Sequence, residues 1–311
     1  MRLPLIIASI VCSLFHGPTW AKPPDPKTAG RKQSISIQVE GNGWGEAPPE
    51  RIEKVLHSVA DELMSHFSGQ LKAPIVVTHT EGNPIALYER GPHGEYQIQL
   101  HATGTRWHLY VYEFAHELCH LLSNYGENLG PGDKYNQWFE ETLCETASLY
   151  TLKALAAAWA QSPDDPDFAQ QASRLEAFFN RLLHEGHRQL PPNSPVSKWL
   201  AGNEDALKHN PYLREKNEVV ANLLLPLFEK HPENWATLAY LNLDPQNARL
   251  SLRDYLNQWY RSAPAEHKAF IGEVLAMFEL NNVMPPSLPA PQTPVLATAG
   301  AAGTVVPPKV Q

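Results

Sequence analysis

Two histidines and a glutamate in one short segment have the types and the spacing of a catalytic metal site. His116 and His120 are four residues apart, and Glu117 follows the first of them. If this segment is helical, the two imidazoles stand one turn apart on the same face. Two nitrogens placed in this way can bind one Zn²⁺ at about 2.0–2.1 Å, with Glu117 beside the metal as a base for its water. The alternative interpretation is a pair of histidines on the surface of a helix.

A second, acidic segment lies downstream and can complete such a site. A catalytic zinc needs a third protein ligand and an open position for water. Glu141 and Glu145 are again four residues apart, and Glu140 lies on the neighbouring helical stripe. One of these carboxylates can bind the metal, and one a turn later can accept the far N–H of a ligand histidine and fix its tautomer. The alternative is a solvated acidic face.

The two segments together resemble the sequence pattern of the gluzincin metallopeptidases, the thermolysin-like branch of the zincins. That pattern is His-Glu-x-x-His, a spacer, and a helix that carries a glutamate ligand with an acidic residue four positions later. The resemblance covers about residues 95–150. It implies that His116, His120 and Glu141 bind Zn²⁺, and Glu140 is the competing third ligand.

The resemblance also implies roles for neighbouring groups. Glu117 corresponds to the general base, and Glu145 to the carboxylate that accepts a hydrogen bond from His116. Many members of this group bind the substrate backbone along an edge strand before the first zinc helix, and the strand predicted at Tyr96–His101 has that place in the sequence. The sequence lacks the Gly-x-Met-Glu-Asn stretch of the aminopeptidase relatives, which argues against an exopeptidase of that type.

Two further assignments depend on the resemblance. A later tyrosine or histidine steadies the oxyanion in these enzymes, and the candidates are Tyr212, His209 and Tyr135. We select Tyr212, because it opens a helical segment that could pack across the cleft. Cys119 and Cys144 each follow a ligand position by three residues. Helices packed as in gluzincins would bring these cysteines together, either as a disulfide or as two buried thiols.

Apolar patterning predicts the elements that must position these groups. Short apolar or alternating runs predict strands at 34–39, 74–80, 85–88 and 96–101. A proline-initiated amphipathic stripe predicts a helix at 48–67. The two metal-binding segments fall in helices predicted at 106–124 and 136–161, and helical patterning continues beyond them. We expect an α+β, zincin-like fold: a small mixed β-sheet with helices, followed by a mainly helical C-terminal subdomain.

The overall composition limits the classes of protein that fit. The 311 residues are 43% hydrophobic and 19% charged, which is enough apolar material for one large or two small domains. The net charge of −8 provides no basic surface for general nucleic-acid binding. We therefore expect no nucleic-acid partner, and the resemblance to the metallopeptidases implies a peptide or protein substrate.

The N-terminus has the features of a secretory signal peptide. Arg2 is followed by the apolar run Leu3–Phe15, and the small residue Ala21 stands at its exit. The run is too short to span a bilayer comfortably, so we expect removal of residues 1–21 and no permanent membrane anchor. Residues 22–33 are then a linker, and the mature protein is periplasmic or secreted.

The remaining chain divides into three predicted parts. Residues 34–125 form an α/β subdomain that ends in the histidine helix, 126–282 form the helical subdomain with the third ligand, and 283–311 are a disordered Pro/Ala-rich tail. We expect an exported zinc metallopeptidase, in which a zinc-activated water hydrolyses peptide bonds with Glu117 as general base. The alternative function is a zinc-bearing, non-hydrolytic binding protein with a peptidase-like fold.

Overall fold

A computed structural model describes residues 35–67, 69, 71–124, 135–162 and 166–280 of the chain. The predicted signal peptide, the linker 22–33 and the tail 283–311 lie outside the described residues. The architecture is α+β, because a small sheet of four strands is followed by helices that make up most of the described chain. The mixed sheet and the mainly helical second half that the sequence predicts are therefore confirmed.

The first part of the chain folds as a strand, a helix and three further strands: β1 (Ile37–Val39), α1 (Pro49–Met64), β2 (Ile75–His79), β3 (Ile85–Ala86) and β4 (Tyr96–Leu100). The strand order in the sheet is β1-β2-β4-β3. β2 is parallel to both β1 and β4, and β3 is antiparallel to β4. Helix α1 starts at a proline and buries Ile52, Val55 and Val59, which recur at helical spacing.

The edge strand on the side of β4 is β3, so the prediction that Tyr96–His101 would be an edge strand is wrong. β4 lies inside the sheet, with Ile75 paired to Tyr96 on one side and Ala86 paired to Ile98 on the other. The interior position explains why Ile98 is fully buried. The sequence of a two-residue strand is too short to show which position in the sheet the strand takes. Strand order depends on pairing between residues that are far apart in the chain.

The second part of the described chain is helical. Its α-helices are α2 (Trp107–Leu122), α3 (Gln137–Ala160), α4 (Pro166–Leu183), α5 (Val196–His209), α6 (Arg214–Lys230), α7 (Leu252–Ser262) and α8 (Ala265–Met277). Short 3₁₀ helices lie at Gly186–Arg188, Pro232–Tyr240 and Pro245–Arg249. The helices predicted at 106–124 and 136–161 are confirmed as α2 and α3, with small differences at their ends.

Helices α2 and α3 pack directly against each other across the predicted subdomain boundary at 125/126. Helix α2 also contacts α1, β3 and β4, and α3 also contacts α4 and α6. Because both helices are covered on several sides, their buried side chains include the polar residues Glu113, Glu117, His120, Glu140 and Glu145. Burial of such groups is unfavourable unless they are paired or bind a ligand. Each of these buried polar groups must therefore have a partner.

Among the helices of the described residues, none has the length and apolar character needed to cross a membrane.

Candidate metal centre

Helix α2 presents both histidines on one face. The ring centroids of His116 and His120 are 5.1 Å apart, as expected for residues one helical turn apart. Phe114 and Leu118 lie on another face of α2 and are fully buried. Apolar packing therefore fixes the rotation of the helix about its axis, and this rotation directs the imidazoles toward α3.

Helix α3 brings Glu141 to both imidazoles. Its Oε2 atom lies 3.2 Å from Nε2 of His116 and 3.7 Å from Nε2 of His120. Ligand atoms about 2.0–2.1 Å from a tetrahedral metal ion are about 3.4 Å apart from one another. The two distances bracket this value, so Glu141 lies where a metal ion could bind it together with either imidazole. The predicted set of His116, His120 and Glu141 is brought together by the fold.

Among the described residues, two groupings of three ligand atoms lie within 4.8 Å of one another: His116, His120 and Cys144, and His120, Glu140 and Glu141. The set of His116, His120 and Glu141 is not one of these groupings. Glu140 and Cys144 contact Nδ1 of His120, at 2.8 Å and 3.4 Å, whereas Glu141 lies on the Nε2 side of the ring. A single nitrogen of the His120 ring cannot bind a metal ion on both the Nδ1 side and the Nε2 side. We select the set on the Nε2 side, because there both imidazoles face the same carboxylate oxygen.

Glu117 is held beside this set by the edge strand. Its Oε2 atom accepts a hydrogen bond of 2.7 Å from the backbone N–H of Ala86 in β3. Burial raises the pKa of Glu117, while the charges of His116 and His120 act in the opposite direction and do not cancel the effect. A carboxylate with a raised pKa is a better proton acceptor, which is the property that a general base needs.

Neighbouring charged groups shift the pKa values of all three candidate ligands. Burial acts to lower the pKa of both His116 and His120, but neighbouring carboxylates outweigh it and raise both values. Burial acts to raise the pKa of Glu141, but the two histidines outweigh it and lower the value. A metal ion and a proton compete for the same imidazole nitrogen, so we expect the affinity for a divalent cation to fall in acid.

Glu145 does not make the predicted contact. Its Oε1 atom accepts a hydrogen bond of 2.8 Å from Arg188, and its Oε2 atom accepts one of 2.5 Å from Tyr112. Within the described part of the chain, no hydrogen bond joins Glu145 to His116, whose Nε2 atom lies near Glu141. Burial acts to raise the pKa of Glu145, but the charges of Arg188, Arg214 and His116 and the hydrogen bond from Tyr112 together outweigh burial and lower the pKa.

Sequence reasoning missed Arg188, which is fully buried. Its guanidinium donates to Glu145 at 2.8 Å, to Glu218 at 2.7 Å and to Glu185 at 3.2 Å. Arg214 joins the same network by donating to Glu218 and to the hydroxyl of Tyr112. These residues come from separate helices and turns, so no local pattern in the sequence could have revealed the network.

Two alternatives were open for Cys119 and Cys144, a disulfide or two buried thiols, and in the structure both are free and buried. Burial, together with the neighbouring Cys119, raises the pKa of Cys144 well above its usual range. The sulfur of Cys144 also lies 3.4 Å from Nδ1 of His120. The helix packing that the resemblance implies is consistent with this proximity, and of the two alternatives the pair of thiols is present.

Tyr212 is the oxyanion candidate that reaches the cleft. It is 64% exposed, lines the cavity, and its hydroxyl accepts a hydrogen bond of 2.7 Å from Gln137. The same amide of Gln137 lies 3.5 Å from Oε1 of Glu141. His209 instead donates to the backbone carbonyl of Asp205. Neither His209 nor Tyr135 lines the cavity.

A cavity of about 850 Å³ adjoins the candidate metal site. Its walls include the metal-site residues on α2 and α3, the loop of residues 81–84 that precedes β3, and an apolar group on α2 and α4 made of Leu109, Phe178 and Leu182. Its size is that of a site for a ligand of several residues. The candidate base Glu117 and two of the candidate ligands, His116 and Glu141, thus line one cavity.

No protein-family model matches this chain, and no curated protein matches it. The chemistry of the site therefore has to be argued from its own residues and their geometry.

Proposed function

We propose that the protein is an exported zinc metallopeptidase with a zincin-like fold of the gluzincin type. The observation that carries the proposal is the position of Glu141 close to both His116 and His120, beside a cavity of about 850 Å³ that His116, Glu117 and Glu141 line. Two imidazoles and one carboxylate are the ligand set of catalytic zinc sites, which keep a fourth position open. The N-terminal sequence pattern supports export.

Glu117 carries the proton transfers in this proposal. A bound Zn²⁺ would polarise the scissile carbonyl and lower the pKa of a water molecule toward about 7. Glu117 takes the proton from that water and passes it to the leaving amine. The hydrogen bond from Ala86 holds Oε2, which leaves Oε1 as the proton acceptor. The raised pKa of Glu117 suits both the acceptance and the later release of the proton.

Strand β3 is proposed to align the substrate in place of β4. The N–H of Leu87 bonds to Gln97 in β4, so the alternating residue Ala86 directs its N–H and C=O away from β4. Its N–H is taken by Glu117, and its carbonyl is then directed toward an extended peptide. Addition of a peptide to a sheet edge provides main-chain hydrogen bonds close to the base.

Tyr212 is proposed to donate its hydroxyl proton to the oxygen that becomes negative during hydrolysis. The amide of Gln137 holds the tyrosine oxygen as an acceptor and leaves the hydroxyl proton to be donated elsewhere. Donors aimed at a developing oxyanion stabilise the transition state more than the ground state.

The test is a mass-spectrometric digest of an unbiased peptide library by the zinc-loaded mature protein and by its Glu117→Gln variant. We expect cleavage by the first protein, loss of cleavage on chelation of the metal, and a variant that keeps zinc but does not hydrolyse peptides. A variant with unaltered turnover refutes the role of Glu117. Zinc binding without cleavage by the wild-type protein supports the non-hydrolytic alternative instead.

A further inference from the structure

We infer that Glu140 is the residue that positions His120 for metal binding: its buried carboxylate holds Nδ1 of the imidazole and so directs Nε2 toward the metal. The inference depends on the metal of the proposed function but not on hydrolysis. It also departs from the sequence resemblance, which implies that Glu145 on His116 has the corresponding role.

The contact between Glu140 and His120 is close and enclosed. Both carboxylate oxygens lie near Nδ1 of the imidazole, at 2.8 Å and 3.0 Å. Glu140 is 1% exposed and His120 is 7% exposed. An imidazole that donates Nδ1–H to a carboxylate keeps its proton on that nitrogen, which leaves Nε2 as the metal ligand and makes it more basic.

Helix α3 separates the roles of the two consecutive glutamates. Successive residues of an α-helix point about 100° apart, because one turn contains about 3.6 residues. Glu140 therefore reaches the Nδ1 side of His120, while Oε2 of Glu141 lies 3.7 Å from its Nε2. The same helical segment thus supplies one carboxylate behind the ring and one in front of it.

Other buried groups hold Glu140 in place. The hydroxyl of Ser123 at the end of α2 donates to its Oε1 at 2.5 Å, and the thiol of Cys144 lies 3.8 Å from the same atom. Burial of a carboxylate is unfavourable unless hydrogen bonds satisfy it. The structure meets this cost with donors from both zinc-site helices, which is consistent with selection for a fixed position of the charge.

Glu145 is the matched comparison, because it is a second buried carboxylate on the same helix. Its two oxygens are held by Arg188 and Tyr112 rather than by an imidazole. If contact with the ligand histidine matters, zinc affinity must depend on Glu140 more than on Glu145. If instead the sequence pattern is the better guide, the order of the two effects is reversed.

The experiment compares the zinc affinity of the wild-type protein, Glu140→Gln and Glu145→Gln by competition with a chromophoric chelator at constant pH. We expect Glu140→Gln to bind zinc about 10–100-fold more weakly than wild type, the range found for partners of ligand histidines. We expect a smaller change for Glu145→Gln. A purely structural role of Glu140 would lower the melting temperature of the metal-free protein and leave the zinc Kd unchanged. Equal zinc Kd values for Glu140→Gln and wild type therefore overturn the inference, as does a larger loss in Glu145→Gln.

A measurement on the wild-type protein keeps the inference testable if Glu140→Gln does not fold. In the zinc-loaded protein labelled with ¹⁵N-histidine, NMR identifies which nitrogen of His120 binds the metal. We expect metal at Nε2 and a proton at Nδ1, and metal at Nδ1 overturns the inference. Both measurements use no substrate, so a protein that binds zinc and cleaves nothing refutes the proposed function and leaves the role of Glu140 intact.

Discussion

Replacement of Arg188 by methionine tests whether the buried charge network holds the cleft together. The guanidinium is 1% exposed and contacts three carboxylates, of which Glu145 and Glu218 are themselves buried. Removal of one partner from a buried ion pair costs about 3–5 kcal/mol, because the remaining charge is left without compensation. Methionine occupies a similar volume without donating a hydrogen bond.

The size of the loss in the free energy of unfolding depends on which partners each carboxylate retains in the variant. Glu218 retains Arg214 at 2.9 Å and His187 at 2.7 Å, whereas Glu145 retains Tyr112 as its partner in a direct hydrogen bond. The loss is therefore concentrated at Glu145, and we expect destabilisation near the lower end, about 3 kcal/mol. For a domain of this size, 1 kcal/mol shifts the melting temperature by roughly 2–4 °C, so the expected decrease is roughly 6–12 °C.

The assay is thermal unfolding of the metal-free variant and wild type across the acid range. In the wild-type protein, Arg188 contributes to the lowered pKa of Glu145. The stability that this interaction provides is therefore present above the ordinary carboxylate pKa and is lost as the pH falls through the lowered value. Without Arg188, the pKa of Glu145 is lowered less, so the variant loses less stability than wild type as the pH falls. The difference in melting temperature between Arg188→Met and wild type must therefore become smaller in acid.

The control is Arg261→Met on α7, since Arg261 is exposed and donates to the neighbouring Gln258. An exposed substitution of this kind changes the free energy of unfolding by less than about 0.5 kcal/mol. A decrease for Arg188→Met no larger than that of the control, or a difference that widens in acid, would refute the reasoning.

The remaining predictions concern the oxyanion donor and the pH dependence of a second cluster. Tyr212→Phe removes one hydroxyl that no metal ligand contacts directly, and we expect kcat to fall about 10²-fold with the zinc Kd unchanged; an unchanged kcat in a peptide-cleavage assay contradicts the role. Glu62 has a pKa lowered mainly by its hydrogen bond with His66, opposed by burial, so its contribution to stability exists above the ordinary carboxylate pKa and is lost in acid. Glu62→Gln should therefore lower the melting temperature at pH 7 and flatten its decline below about pH 4.5, and parallel melting curves for variant and wild type would contradict this.

Local periodicity was sufficient for the histidine helix. A spacing of four residues places His116 and His120 on one face of any α-helix, and the apolar residues between them define the face that must be buried. The same argument predicted α3 and the position of Glu141 within it. These features depend on a repeat of 3.6 residues per turn and on few long-range contacts, so they can be read without the fold.

The pairing of side chains between elements required the tertiary structure. Glu140 and Glu141 are adjacent in sequence, and only the packing of α3 against α2 decides which of them lies behind the ring of His120. Arg188 and Ala86 reach the site from a distant 3₁₀ turn and from a two-residue strand, which have no chemical pattern of their own. The sequence by itself determined the types of chemical group and the helices that carry them. The tertiary structure decided their partners, because hydrogen bonds and charge pairing depend on distances between residues that are far apart along the chain.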